Sequence, residues 1–184
     1  MGILETTPAS VYLEPGELFV GTRPTEVCTV LGSCVSLVLF HPQTKLSAMG
    51  HGKLPSRPCS HGSANGVKVC RMMGDFVSCS THFMLSWFHQ MGIPNKELEA
   101  KLFGGAMMFN LPGKEEASTV AIGKRNVETA MDMIRKERLH LVASDVGGPW
   151  GRKIFFHTGS GEVKLQRLRK TELDLVNPLE IKES

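Results

Sequence analysis

Thr29-Val30-Leu31-Gly32-Ser33-Cys34-Val35-Ser36-Leu37-Val38-Leu39-Phe40, followed by Met49-Gly50-His51-Gly52-Lys53-Leu54-Pro55, is the stretch from which the fold is read. Its first part sets a cysteine after a Gly-Ser pair at the mouth of an apolar run. Its second part sets a histidine between two glycines. His41-Pro42-Gln43-Thr44-Lys45 between them has the composition of a turn, so the two runs are expected to pair as a β-hairpin. Pairing Leu39 with Leu46 puts Cys34 directly opposite His51, where cross-strand Cβ atoms lie about 4.5–5.5 Å apart. A thiol and an imidazole at that spacing can act as a nucleophile and its base. A slip of one residue would send His51 to the other face, so the register decides the reading. The same cysteine also fits a small buried hydrophobe. Val35 to Phe40 is apolar on both faces, which demands cover on both faces and points to a central sheet between other layers.

Outward from this stretch, Val11 to Leu13 and Leu18 to Val20 read as short strands about the turn Glu14-Pro15-Gly16. Ser56 to Gly66 reads as a loop bordering His51. Met72 to Met91 reads as a helix, because Phe76, Phe83, Met84, Trp87, Phe88 and Met91 recur at helical spacing and Gly92 and Pro94 stop it. Glu99 to Phe103 reads as a strand entering Gly104-Gly105, and Ala106 to Leu111 as a further apolar run. Lys124 to Arg138 reads as an amphipathic helix with Val127, Ala130, Met131 and Ile134 on one face. Leu139 to Ser144 reads as a strand. Lys153 to His157 and Glu162 to Leu168 read as a closing hairpin about Thr158-Gly159-Ser160-Gly161. Strands outnumber helices and mostly follow one another, so the expected class is α/β (α+β), with two main helices on a mixed sheet and a further β layer. The chain, 1–184, is expected to be a single domain with loose tails at 1–9 and 171–184.

At 184 residues and 41% hydrophobic composition, the chain can bury a sizeable core. A net charge of +3 is too small to imply nucleic acid, and the sparse aromatics do not interleave with basic residues. Arg167, Arg169 and Lys170, answered by Glu172 and Asp174, read as a solvated strand end. The five cysteines (Cys28, Cys34, Cys59, Cys70 and Cys79) are an odd count, and the start lacks a signal peptide's basic and apolar regions. Reduced thiols in a cytoplasm are therefore expected. No run reaches the roughly 18 apolar residues of a membrane span. Cys59-Ser60-His61 and Cys79-Ser80-Thr81-His82, with Cys70 between, offer nitrogen and sulfur ligands for zinc. Neither pair has the common zinc spacing, so no metal is expected.

Four blocks follow one another along the chain. They are Leu31-Gly32-Ser33-Cys34-Val35 with Met49-Gly50-His51 and Leu54-Pro55; Lys101-Leu102-Phe103-Gly104-Gly105-Ala106; Ile122-Gly123-Lys124-Arg125-Asn126; and Asp145-Val146-Gly147-Gly148 with Gly151-Arg152-Lys153. In this order they resemble the chemoreceptor glutamine deamidase family, CheD. The resemblance implies a three-layer α/β/β sandwich, similar to the catalytic domain of certain glutamine-deamidating bacterial toxins. It implies deamidation of glutamine side chains in a chemoreceptor's cytoplasmic region, Gln to Glu with release of ammonia, and no cofactor. Glutamate methyl esters are a second substrate class that the same chemistry would permit.

With that chemistry, Cys34 is the expected nucleophile and forms a thioester, and His51 is its base. The backbone N–H groups of Ser33 and Cys34 are the expected oxyanion donors. The family's threonine that orients the histidine maps to Thr29, five residues before Cys34, with Cys28 as the competing position. Some family members bind a CheY-phosphate phosphatase, CheC, which is a further expected partner. The competing readings are a non-catalytic docking module for receptors or that phosphatase, and a zinc-binding module. Gly104-Gly105 and Gly147-Gly148 otherwise read as turns, Arg125 and Asn126 as residues that cap or open a helix, and Asp145 as an acceptor for Arg152. Cys34 is expected to be alkylated before the other cysteines.

Overall fold

The computed structural model describes residues 9–57, 62–64, 67–69, 72–107 and 114–169. In chain order, β1 (Ala9–Tyr12), β2 (Leu18–Gly21), β3 (Thr25–Leu31), β4 (Val35–Phe40) and β5 (Ser47–Gly52) precede a small hairpin, β6 (Gly62–Ala64) and β7 (Val67–Val69). Helix α1 (Val77–Gln90), β8 (Glu99–Gly104), helix α2 (Lys114–Lys136), β9 (His140–Val146), β10 (Gly151–His157) and β11 (Val163–Leu168) follow. One sheet has five strands in the order β2-β5-β4-β8-β9, and a second has four in the order β1-β3-β10-β11. Both are mixed, with β8–β9 and β1–β3 the parallel pairs.

Strand β4 shows why these form three layers. All six of its residues are buried. Val35, Leu37 and Leu39 pack with Met84, Leu85 and Phe88 of α1 and Ala130 and Ile134 of α2. Val38 and Phe40 point the other way and pack with Val27 and Leu31 of β3 and Ile154 and Phe156 of β10. Successive strand residues face opposite sides, so one apolar run serves both cores. The result is the expected α/β/β sandwich, with the five-stranded sheet in the middle.

The hairpin register differs from the expected one. Leu39 pairs with Ala48 and Ser36 with His51, two residues beyond the predicted pairing. The loop runs from His41 to Leu46 rather than closing on Leu46. His41 N–H donates to Leu46 O at 2.9 Å, Lys45 N–H donates to His41 O at 2.9 Å, and Lys45 adopts a positive φ of 62°. A shift of two keeps every side chain on its expected face. Cys34, just ahead of β4, is thus diagonal to His51 rather than directly opposite.

Other boundaries moved as well. β1 and β2 do not pair with each other; the Glu14-Pro15-Gly16 turn carries the chain from one sheet to the other. Helix α1 begins at Val77, after an extended Phe76, and 72–75 is a turn. Helix α2 begins at Lys114 instead of Lys124. Gly123 does not interrupt it, because the missing side chain lets the helix lie against β8's exit: a Cβ there would sit 3.0 Å from Ala106 O. Part of the expected Ser56–Gly66 loop forms β6. The apolar run beyond Met107 lies outside the described residues, as do the two expected tails except Ala9, which opens β1. No described helix is long and apolar enough to cross a membrane.

Gly32-Ser33-Cys34 is the crossover from the four-stranded sheet to the five-stranded one. Its carbonyls are held by the segment after β8: Ala106 N–H donates to Gly32 O at 2.8 Å and Gly105 N–H donates to Cys34 O at 2.7 Å. Gly104 has a φ of +108°, and a Cβ there would fall 2.2 Å from Cys34 O. Gly104→Ala should therefore destabilise the fold by about 2 kcal/mol or more, through strain and overlap together. Urea unfolding monitored by circular dichroism checks this, and an unchanged midpoint would contradict the packing described.

Candidate active site

Strand β3 alternates, and its Val27 and Leu31 lie in the core between the sheets. Thr29 shares their parity and is fully buried there. Cys28 has the opposite parity, so the structure brings Thr29 and not Cys28 to the site. From the other sheet, His51 enters the same space with 1% exposure. Its backbone is fixed by the Glu14–Glu17 turn: His51 N–H donates to Glu17 O and Gly16 N–H donates to His51 O, both at 2.9 Å.

The imidazole's tautomer follows from its neighbours. Thr29 Oγ1 donates its single proton to Leu13 O at 2.7 Å. Thr29 Oγ1 also lies 2.7 Å from His51 Nδ1, and Leu13 O lies 3.4 Å from the same nitrogen. A carbonyl can only accept and the hydroxyl proton is already committed, so Nδ1 carries the hydrogen. Nε2 then offers its lone pair, and it has no hydrogen-bond partner among the described residues. This is the tautomer that a general base needs.

Cys34 packs against the inter-sheet core, on the face of the five-stranded sheet that carries His51. It is half-buried, whereas Cys28 and Cys79 are buried. Diagonal cross-strand neighbours have Cα atoms about 7–8 Å apart, within reach of a thiol and an imidazole that lean toward each other. Burial pushes the Cys34 thiol up to about 11, against the opposing pull of the Lys53 ammonium and of Cys34's own backbone N–H. Burial likewise pushes His51 down to about 4, outweighing the Leu13 carbonyl. At neutral pH both groups are uncharged. The pair rests as thiol and imidazole, not as the thiolate that a neighbouring base alone would suggest.

The remaining blocks frame this pair. Asn126 lies within α2 and neither opens nor caps it. Fully buried, it donates from Nδ2 to Ser33 O at 3.0 Å and to Lys53 O at 2.9 Å. One amide thus ties the crossover that carries Cys34 to the end of the strand that carries His51. Gly147 N–H donates to Gly104 O at 2.9 Å, and Met107 N–H donates to Gly148 O at 2.8 Å. Arg152 steadies that loop through Gly147 O and Trp150 O, and Nε reaches Asp145 at 2.7 Å. Asp145 also pairs with Arg167 at 2.7 Å. Burial raises the Asp145 carboxyl, but hydrogen bonds from Arg167 and Arg152 outweigh it and hold the group below the usual range. Asp145 is thus the acceptor expected for Arg152, and Arg167 is answered by it; Glu172 and Asp174 lie outside the described residues.

Of the residues considered for zinc, Cys79 and His82 lie on α1, and Cys59, His61 and Cys70 lie outside the described residues. Among the described residues no three His, Cys, Asp or Glu side chains gather as a metal site would need.

A neutral imidazole able to take a thiol proton suits acyl transfer through sulfur, the chemistry of cysteine hydrolases. Comparison with known proteins narrows that class. Residues 54–167 match the model of the family described as CheD chemotactic sensory transduction. A probable chemoreceptor glutamine deamidase, CheD 2, of Geobacter sulfurreducens is 42% identical over 164 residues, covering 89% of this chain and 93% of that protein. A probable chemoreceptor glutamine deamidase CheD of Maridesulfovibrio salexigens is 36% identical over 161 residues, 87% of this chain and 92% of its own length. Another, of Nitratidesulfovibrio vulgaris, is 35% identical over 171 residues, 92% of this chain and 82% of its own length. The chain belongs to the CheD family.

Two measurements check these protonation states. His51 titrates near 4 when folded and near 6.5 when exposed. The unfolded chain therefore binds a proton that the native one refuses, and stability should fall as pH drops from 6.5 toward 4, by on the order of 3 kcal/mol from this group. Urea unfolding across that range should show the loss, and His51→Gln should flatten it. Alkylation of Cys34 by iodoacetamide should be slow at pH 7 and rise about tenfold per pH unit toward pH 10, because only the thiolate reacts. Peptide mapping by mass spectrometry reads the rate.

Proposed function

We propose that this chain is a protein-glutamine deamidase acting on glutamine side chains in the cytoplasmic region of chemoreceptors, with Cys34 as nucleophile and His51 as base. The observation that carries the mechanism is the 2.7 Å contact of Thr29 Oγ1 with His51 Nδ1, which leaves the buried Nε2 without a hydrogen-bond partner among the described residues, on the face of the sheet that carries Cys34. The family relatives, named probable chemoreceptor glutamine deamidases, support the substrate.

The steps balance as follows. Nε2 takes the Cys34 Sγ proton as sulfur attacks the carboxamide carbon, and the carbonyl oxygen becomes an oxyanion facing the backbone N–H groups of Ser33 and Cys34. The protonated Nε2 gives its proton to the departing nitrogen, the C–N bond breaks, and ammonia leaves a thioester on Cys34. Nε2 then takes a proton from water, which attacks the thioester carbon. The S–C bond breaks, the proton returns to sulfur, and glutamate is released. The low basicity of His51 keeps it unprotonated and ready at neutral pH. Thr29 holds the ring in the tautomer that both proton transfers require.

Receptor cytoplasmic regions set the place of action, the cytoplasm. A CheY-phosphate phosphatase, CheC, is a further protein partner. The modest charge of +3 supports a role without nucleic acid, and the mechanism needs neither cofactor nor membrane insertion.

Incubation with receptor cytoplasmic fragments should convert chosen glutamines to glutamates, a gain of about one dalton each by mass spectrometry. Cys34→Ala and His51→Ala should each abolish the conversion while leaving the circular dichroism spectrum unchanged. Thr29→Val should lower kcat by about 10- to 100-fold, and Thr29→Ser should restore most of it. Full activity in Cys34→Ala would remove the nucleophile from the reading.

A further inference from the structure

We infer that Asn126 is a positioning residue for the oxyanion site: its side-chain amide turns the Ser33–Cys34 peptide so that the Cys34 N–H faces the reacting carbonyl oxygen. This rests on the function proposed above.

The described peptide bonds contain no cis form, and in a trans peptide the C=O and the following N–H point in opposite directions. Whatever holds Ser33 O therefore aims the Cys34 N–H. Ser33 O is held by Asn126 Nδ2 at 3.0 Å, from α2 on the helix side of the middle sheet. The Cys34 N–H must then point away from α2, toward the side where the thiol packs between the sheets. It faces Cys34's own sulfur, the atom that will bond to the substrate carbon. The oxyanion forms one bond from that carbon, so this N–H is directed where negative charge develops.

The carbonyls on either side are fixed by backbone: Gly32 O by Ala106 N–H and Cys34 O by Gly105 N–H. Of the three carbonyls in the crossover, the one whose orientation sets the Cys34 N–H is gripped by a side chain. The second Nδ2 proton goes to Lys53 O at 2.9 Å, which fixes the amide against rotation. Asn126 Oδ1 is buried with no partner among the described residues. An orphaned buried acceptor is destabilising. An amide kept at that cost is kept for its two donors.

The test begins with the parent protein and a receptor cytoplasmic fragment; absence of deamidation there would sink the proposed function and this inference together. Where the parent is active, Asn126→Ala should lower kcat by about 10- to 100-fold with KM changed less than about twofold, the pattern of a contact made only in the transition state. Iodoacetamide needs no oxyanion site, so its rate at Cys34 should stay within about threefold of the parent. A peptide whose glutamine carboxamide is replaced by an aldehyde adds the thiol across its C=O, and its affinity should fall by the same factor as kcat/KM. A peptide carrying the product glutamate should bind as before. Asn126→Asp keeps the shape, loses both donors and should behave alike, which serves if the alanine variant does not fold. Parent-like kcat in either variant overturns the inference. So do equal losses in alkylation and deamidation, or failure of both variants to fold, since the amide would then serve the fold alone.

Discussion

One hydrogen bond joins the two sheets at the point where the chemistry is proposed. Thr29 belongs to the four-stranded sheet and His51 to the five-stranded one, and their side chains meet at 2.7 Å inside the sandwich. Stacked sheets lie about 10 Å apart, so this contact exists only when the apolar residues between them are packed. Leu31, Met49, Ile154 and Phe156 fill that layer and set the spacing. The imidazole is therefore oriented by the whole sandwich rather than by its own strand. Burial in the same layer keeps the ring neutral, so packing and reactivity share one cause.

Around the Cys34 crossover the sequence blocks form successive supports. The crossover is held by Gly105 and Ala106, and Gly104 and Met107 are in turn bonded to Gly147 and Gly148. That loop is steadied by Arg152, which Asp145 neutralises. Asn126 grips the crossover from the helix layer. Residues scattered over more than a hundred positions thus converge on three peptides. Gly104 and Gly105 leave no room for a side chain there: a Cβ would fall 2.2 Å from Cys34 O at the first and 2.2 Å from Val127 Cγ2 at the second.

Much of this was legible in the sequence through periodicity. The two-sided apolar run Val35 to Phe40 gave a middle sheet, and the spacing of aromatics gave α1. The hairpin's faces were legible but not its register, because no residue type announces that Lys45 takes a left-handed conformation and lengthens the loop. The choice between Thr29 and Cys28 was open to parity: Val27 and Leu31 fix the inward face of β3, and Thr29 lies between them. Asn126 reads in the sequence as a helix end, yet it shares a face with Ala130 and Ile134 at intervals of four. A polar amide on an apolar helix face is itself a sign of a buried partner. The early start of α2 was hidden by Gly123, whose missing side chain serves packing against Gly105 and Ala106 rather than termination.

The raised pKa of the Cys34 thiol bears on how readily the sulfur is oxidised. Peroxide and related oxidants attack ionised sulfur and proceed through sulfenic to irreversible forms. A thiol that burial holds in its protonated form offers them little to attack. Burial thus trades the speed of a pre-formed anion for a sulfur less open to such attack.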